Sequence, residues 1–209
     1  MGNFTLLSIW LLLGQPIDAA LSQDLCAQAL RGPFAEAARV AGSLRVCRGV
    51  AAEAGRQGVA VDVAVAVAFH ESRFRDLPSY TGRRLLAAGT HTPATLPGWV
   101  ERSAMQCKPK WHCPKTGPCD HLAACVRHLK RQLAQPRVCK YVRRDGREGF
   151  SARCTPGGGV RVALDRYHAP YGHAGGYGYR VLARLHRLRG AQEVASNSQA
   201  PARLFAGWL

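Results

Sequence analysis

The chain has 209 residues, 47% of them apolar, which fits one folded domain with short extensions and excludes a disordered chain. Its 29 Lys and Arg against 13 Asp and Glu leave a formal net charge of +16, so anionic polymers are the partners to weigh. Nucleic acid is not favoured among them: no paired zinc-finger spacing, aromatic-interleaved RNA-binding signature or heptad-linked basic helix occurs.

Thr5 to Leu13 is a run dominated by Leu, Ile and Trp, followed by the Gln15-Pro16 break and the small pair Ala19-Ala20. This is the pattern of an export signal, too short to span a bilayer. It departs from the usual form in two ways: Met1-Gly2-Asn3-Phe4 carries no Lys or Arg, and Asp18 stands where a small residue is preferred. The expected layout is a signal peptide over 1–20, a domain over 21–190 and a flexible tail over 191–209.

All eight cysteines lie beyond the expected cleavage point, and an even count in an exported chain reads as disulfides. Cys107, Cys113, Cys119 and Cys125 recur every six residues with His112 and His121 among them. Structural zinc sites favour close pairs two to four residues apart. The spacing lacks these, so no metal or other cofactor is expected.

The periodicity predicts a helix over 34–57, closed by Gly58. The stretch from Val59 to Phe69 alternates Val and Ala. It suits a strand, or equally a helix buried on every side, with Asp62 as a possible N-cap. Residues 76–100, rich in Pro, Gly and Thr, read as a surface loop. Asp120 caps a helix with Leu122, Val126, Leu129 and Leu133 on one face, and His128, Lys130 and Arg131 on others.

Val138 to Cys154 reads as a hairpin turning at Asp145-Gly146. Cys139 and Cys154 flank that turn and form one candidate disulfide; Cys26 and Cys47 form another. The other four cysteines allow three connectivities. Thr155 to Gly159 reads as a connector, followed by helices over Arg161–His168 and Gly178–Arg189. Beyond Gly190 the composition is that of a linker.

Glu71 carries the chemical interest. It follows a long apolar run, which sets its backbone at a core wall. If that run is a helix, the carboxyl lies at the C-terminal end, where the helix dipole disfavours negative charge. Both settings suit a general acid.

The residues around it form an ordered set. Glu71-Ser72-Arg73-Phe74 is similar to the catalytic Glu-Ser motif of soluble lytic transglycosylases and goose-type lysozymes. Ser103-Ala104-Met105-Gln106, with Pro109 after it, resembles that family's Gly-Leu-Met-Gln segment. Tyr167-His168-Ala169-Pro170 resembles its Tyr-Asn-Ala-Gly turn, and Tyr179-Arg180-Val181-Leu182 its closing helix. The resemblance spans about residues 58–189, in the family's order.

The resemblance implies a mainly helical, lysozyme-like α+β domain, to which the residues add a small β-hairpin and disulfide staples, and it makes the Val–Ala run a helix. It also implies a bacterial enzyme that cleaves peptidoglycan glycan strands; with the export signal and the cysteines the expectation is a periplasmic or secreted monomer, and the positive charge adds anionic envelope polymers as further partners. Glu71 would be the single acid/base: it protonates the leaving oxygen, then deprotonates the muramic-acid 6-hydroxyl, which closes a 1,6-anhydro ring. Ser72 would hold the carboxyl or the substrate, Met105, Gln106 and His168 would line the substrate site, and Tyr167 would orient Glu71. His168 stands where the family has Asn, Pro170 where it has Gly, and Ser103-Ala104 where it has Gly-Leu.

Two rival readings follow from the same residues. Most glycosidases use two carboxylates, and Asp76 is the nearby second candidate for a hydrolytic, lysozyme-type reaction. Alternatively, a basic disulfide-rich chain suffices for a non-catalytic envelope-binding or antimicrobial protein.

Overall fold

A computed structural model describes residues 19–135, 137–143, 150–169 and 176–198. The apolar run of the expected signal peptide, the Asp145-Gly146 turn, Pro170 and the final apolar segment 204–209 lie outside the described residues. The fold is mainly helical. Helix α1 (Ala19–Arg31), a 3-10 turn (Ala35–Arg39), α2 (Ser43–Gln57), α3 (Val61–Ser72), α4 (Tyr80–Ala87), α5 (Pro109–His112) and α6 (His121–Ala134) precede one hairpin. Its strands are β1 (Arg137–Arg143) and β2 (Phe150–Pro156), and α7 (Gly159–His168) and α8 (Tyr177–Ser198) follow. Among the described residues, no helix is long and apolar enough to cross a membrane.

Helix α3 is the centre of the structure. Every residue from Val61 to Phe69 is buried, because α2 packs on one side, α8 on another and α1 on a third. This explains the ambiguity of its sequence: a helix surrounded by neighbours has no polar face to display a period of 3.6. Each fully buried Val or Phe there contributes roughly 1.5–3 kcal/mol of apolar burial. Asp62 does not cap the helix, since Ala60 occupies that position. Its carboxylate lies in the first turn and accepts from Arg189 Nε of α8 at 2.6 Å, tying the two helices together.

Disulfides link Cys26 of α1 to Cys47 of α2, Cys107 to Cys125 of α6, and Cys113 to Cys119. In the antiparallel hairpin, Cys139 stands directly opposite Cys154 in register.

Several elements differ from expectation, each for a local reason. The helix expected over 34–57 breaks: Val40 is extended and Gly42 is left-handed (φ 79°) ahead of α2. Residues 76–100 are not all loop, since α4 forms within them. It packs close because residue 82 is glycine; a Cβ there would meet Val100 Cγ1 at 2.6 Å and Pro78 Cβ at 2.7 Å. His128 is buried rather than facing outward, with its ring 4.1 Å from His112 and 5.1 Å from Tyr167. Burial pulls its pKa down to about 3, so it packs as a neutral ring. Past Gly190, where a linker was expected, Ala191, Gln192 and Glu193 are good helix formers and α8 runs on to Ser198.

Candidate active site

Glu71 occupies the last turn of α3, where the helix leaves the core. Its C-cap, Arg73, and the next residue, Phe74, both adopt left-handed backbone (φ 54° and 58°). Each such non-glycine residue costs about 1–2 kcal/mol, so something must hold the turn. Phe74 is fully buried against Phe34 and Phe69, with ring centroids 6.2 and 5.8 Å apart, and its burial offsets the strain. The Glu71 side chain is 12% exposed, within reach of a ligand but mostly shielded from water.

Tyr177, at the start of α8, positions the carboxyl. Its hydroxyl donates to Glu71 Oε1 at 2.6 Å, and the residue is 1% exposed. Burial first, then the Glu71 charge, pushes the phenol well above its usual range, so it remains a donor. Gly178 makes the placement possible. Its N–H donates to Asp165 Oδ1 at 2.7 Å, and a Cβ on residue 178 would fall 2.4 Å from the Arg161 carbonyl oxygen. The start of α8 therefore lies flush on α7.

Two rings flank Tyr177. His168, from the end of α7, stacks on it at 4.5 Å with an interplanar angle of 11°, and places Nδ1 3.6 Å from Glu71 Oε1. The adjacent Glu71 carboxylate raises the His168 pKa against the opposing effect of burial. His70 meets the ring edge-on at 4.8 Å, and burial, aided by Arg184, lowers its pKa to about 4. One imidazole is thus tuned toward the charged form beside the carboxylate, and the other toward the neutral form behind it.

The Ser103–Gln106 turn forms the facing wall. Ser103 and Gln106 are left-handed (φ 65° and 52°), and a bridge between Arg102 and Cys107 closes the turn. The Cys107–Cys125 disulfide anchors it to α6. Ser72 Oγ donates to the Ala104 carbonyl at 2.7 Å and accepts from Arg75 N at 3.1 Å, so its hydroxyl ties the turn to α3 rather than holding Glu71. Met105 is fully buried, which removes its side chain from the substrate-lining role expected of it. Tyr167 donates to the Met105 carbonyl at 2.7 Å; the orienting bond to Glu71 expected of Tyr167 comes from Tyr177 instead. Gln106 Nε2 donates to the Leu77 and Ser103 carbonyls at 2.8 and 2.7 Å, which fixes the side chain in place.

Two open grooves meet at Glu71, Ser79 and Gln106. One, of about 360 Å³, carries Arg73, Arg75, Arg83 and Tyr80. The other, of about 580 Å³, carries Trp111, His112, Tyr167 and His168, with Glu101 and Lys108. Glu101 and Lys108 pair at 3.3 Å, and Lys108 Nζ lies 5.0 Å from the Trp111 ring centroid. An extended polymer laid along both grooves would pass the Glu71 carboxyl near its middle. Asp76, the second carboxylate considered from sequence, is exposed and lines neither groove, whereas Glu101, which sequence reasoning passed over, lines the second.

Cys113, Cys119 and His121 are the described residues whose donor atoms cluster closely enough to hold a metal. The two sulfurs are bonded to each other, and a metal ligand must be thiolate, so the oxidised form is unsuited to the task.

Compared with known proteins, the chain matches no family model, no curated protein and no solved structure. Fold and site define a class by themselves: a mainly helical, disulfide-stapled protein whose core helix delivers a shielded carboxyl group to the junction of two grooves.

Proposed function

We propose that this chain is an exported peptidoglycan lytic transglycosylase of lysozyme-like fold, with Glu71 as its acid/base. The observation that carries the reading is the Glu71 setting: a carboxyl 12% exposed, fixed by Tyr177 at 2.6 Å, where two grooves suited to a glycan strand meet. Glu71 and Ser72 of the Glu-Ser motif and Gln106 of the Met-Gln motif line that junction. The apolar run Thr5 to Leu13 supports export, as do the disulfides.

In this reading Glu71 donates its proton to the glycosidic oxygen as the bond to the muramic-acid C1 breaks. The resulting carboxylate then takes the proton of the 6-hydroxyl, whose oxygen attacks C1 and closes the anhydro ring. Atoms balance without water, and Glu71 ends protonated for the next turnover. Tyr177 steadies the carboxylate between the two steps, and His168, whose pKa the neighbouring Glu71 raises, favours it electrostatically when protonated. Glu71→Gln keeps the shape and removes the titrating proton, so clearing of purified murein should fall by about a hundredfold or more with folding intact. Clearing at near wild-type rate would refute the assignment.

A hydrolytic reading has one observation in its favour. Glu101 lines the same groove as Glu71 and would be the base that activates water. Hydrolysed strands end in a reducing sugar, heavier by one water than an anhydro end, so product mass separates the two reactions.

A further inference from the structure

The two grooves differ in charge. In the second, the Lys108 charge is met by Glu101 at 3.3 Å, and the rings of Trp111, His112, Tyr167 and His168 line it beside Glu71, Ser79 and Gln106. Among the described residues, the first holds three guanidinium groups, and Glu71 is the one carboxylate that lines it. Arg83 spends one N–H on the Pro78 carbonyl at 3.1 Å, and Arg73 meets the exposed Glu36 only at 3.8 Å. Arg75 is exposed, with its backbone N–H fixed on Ser72. The donor capacity of these forks is largely unspent.

Their placement is built into the fold. The left-handed turn at Arg73 and Phe74 turns the chain so that Phe74 enters the core while Arg73 and Arg75 remain outside on either side of it. Strained non-glycine backbone held by its surroundings is concentrated at ligand sites. Arg83 comes from α4, which Gly82 lets approach Pro78 and Val100 closely. Two separate elements thus converge positive charge beside Glu71. Arginine forks match carboxylates in bidentate geometry and are favoured for that task over lysine.

We propose that the arginine groove is a subsite for a carboxylate carried by the glycan strand, and that the uncharged sugar packs in the aromatic groove. The chain would then select strands bearing acidic substituents next to the scissile bond and disfavour plain N-acetylhexosamine polymers. The carboxylate has two sources: the lactyl group of the sugar, or the peptide attached to it. This inference rests on the glycan-cleaving reading for its substrate, but its test reads binding, independently of turnover.

The test uses the full chain carrying Glu71→Gln, with and without Arg75→Gln plus Arg83→Gln, in equilibrium binding at fixed salt. Three ligands are compared: peptide-bearing strands, strands stripped of peptide by an amidase, and a neutral N-acetylglucosamine oligomer. Arg45→Gln plus Arg48→Gln, two exposed positions on α2, lowers the net charge equally and controls for general attraction. Loss of the groove arginines should weaken binding of acidic strands relative to the neutral oligomer by about tenfold, the scale of one charge-assisted hydrogen bond. The α2 control should change that ratio less than about twofold. The lactyl carboxyl is locked in an amide in peptide-bearing strands and is free only after stripping. A fall for stripped strands alone therefore assigns the lactyl carboxylate, a fall for peptide-bearing strands alone assigns the peptide, and a fall for both shows that the subsite takes either carboxylate; each supports the subsite. Equal losses in the groove and control variants, or an unchanged ratio, would overturn it. Failure of Glu71→Gln to abolish cleavage would overturn the catalytic reading while leaving this binding comparison intact.

Discussion

Tyr177→Phe isolates the contact on which the site geometry depends. The substitution removes one oxygen, the donor to Glu71 Oε1 at 2.6 Å, and keeps the ring that stacks on His168 at 4.5 Å and meets His70 edge-on at 4.8 Å. A hydrogen bond to a charged group contributes about 1.5–3 kcal/mol, and each 1.36 kcal/mol corresponds to a factor of about ten in rate. Glu71 retains 12% exposure, so water can replace part of the bond, which favours the lower end: about a tenfold to thirtyfold fall in kcat. Thermal unfolding should shift by only a few degrees, because the packing is unchanged. The assay is release of soluble fragments from purified murein at saturating substrate, run beside Tyr167→Phe as a comparison. Tyr167 donates to the Met105 carbonyl rather than to Glu71, so its removal should disturb stability more and kcat less. A Tyr177→Phe enzyme within twofold of wild type, or a larger kcat loss in Tyr167→Phe, would refute this account of what holds Glu71.

Further predictions follow from other parts of the site. His168 is half exposed and its pKa is raised above 6.5 by the adjacent Glu71 carboxylate. The stabilisation it adds is therefore complete below its unfolded value of about 6.5 and is lost as pH rises through the higher folded value. The difference in melting temperature between wild type and His168→Gln should shrink across that window; a difference flat from pH 5 to 9 would contradict the pairing. Gly178→Ala places a Cβ 2.4 Å from the Arg161 carbonyl oxygen, so α8 must shift, with a cost of about 1–3 kcal/mol and a loss of kcat through Tyr177. Wild-type stability and activity in that variant, by thermal melt and fragment release, would show that the close approach is not needed. Replacing Cys107 and Cys125 by Ala opens an 18-residue separation and should cost about 3 kcal/mol, read by urea unfolding, with a looser Ser103–Gln106 turn.

The parts of the fold legible in the sequence are those where one face meets water. Helix α6 shows its apolar stripe and its Asp120 cap, which accepts from Ala123 N at 2.9 Å. The hairpin was evident from the Asp145-Gly146 turn signal, and the cysteines that flank it stand in register. Helix α3 was ambiguous by composition because burial on all sides erases the polar face. Glu71 stood out as a carboxyl ending an apolar run, a local signal. Tyr177 gave none, since it lies in a Gly- and Tyr-rich stretch and gains its role only when Gly178 lets α8 settle on α7. Arg73 and Arg75 were local to Glu71 and read as possible ion-pair partners, whereas Arg83, one of 29 Lys and Arg, had nothing local to mark it. Glu101 and α4 were obscured by the Pro-, Gly- and Thr-rich composition around them. The burial of His128 had no signal in the sequence, because a neutral imidazole between two rings packs as an aromatic residue does.

The central claim is that Glu71 breaks the glycan by intramolecular transfer to the sugar's own hydroxyl. Mass spectrometry of the muropeptides released from whole sacculi, by the wild-type protein and by Glu71→Gln in parallel, tests it most directly. The account predicts 1,6-anhydro-muramic ends from wild type, lighter by one water than hydrolysed ends, and essentially no release by the variant. Reducing ends alone, or equal release by both proteins, would contradict it.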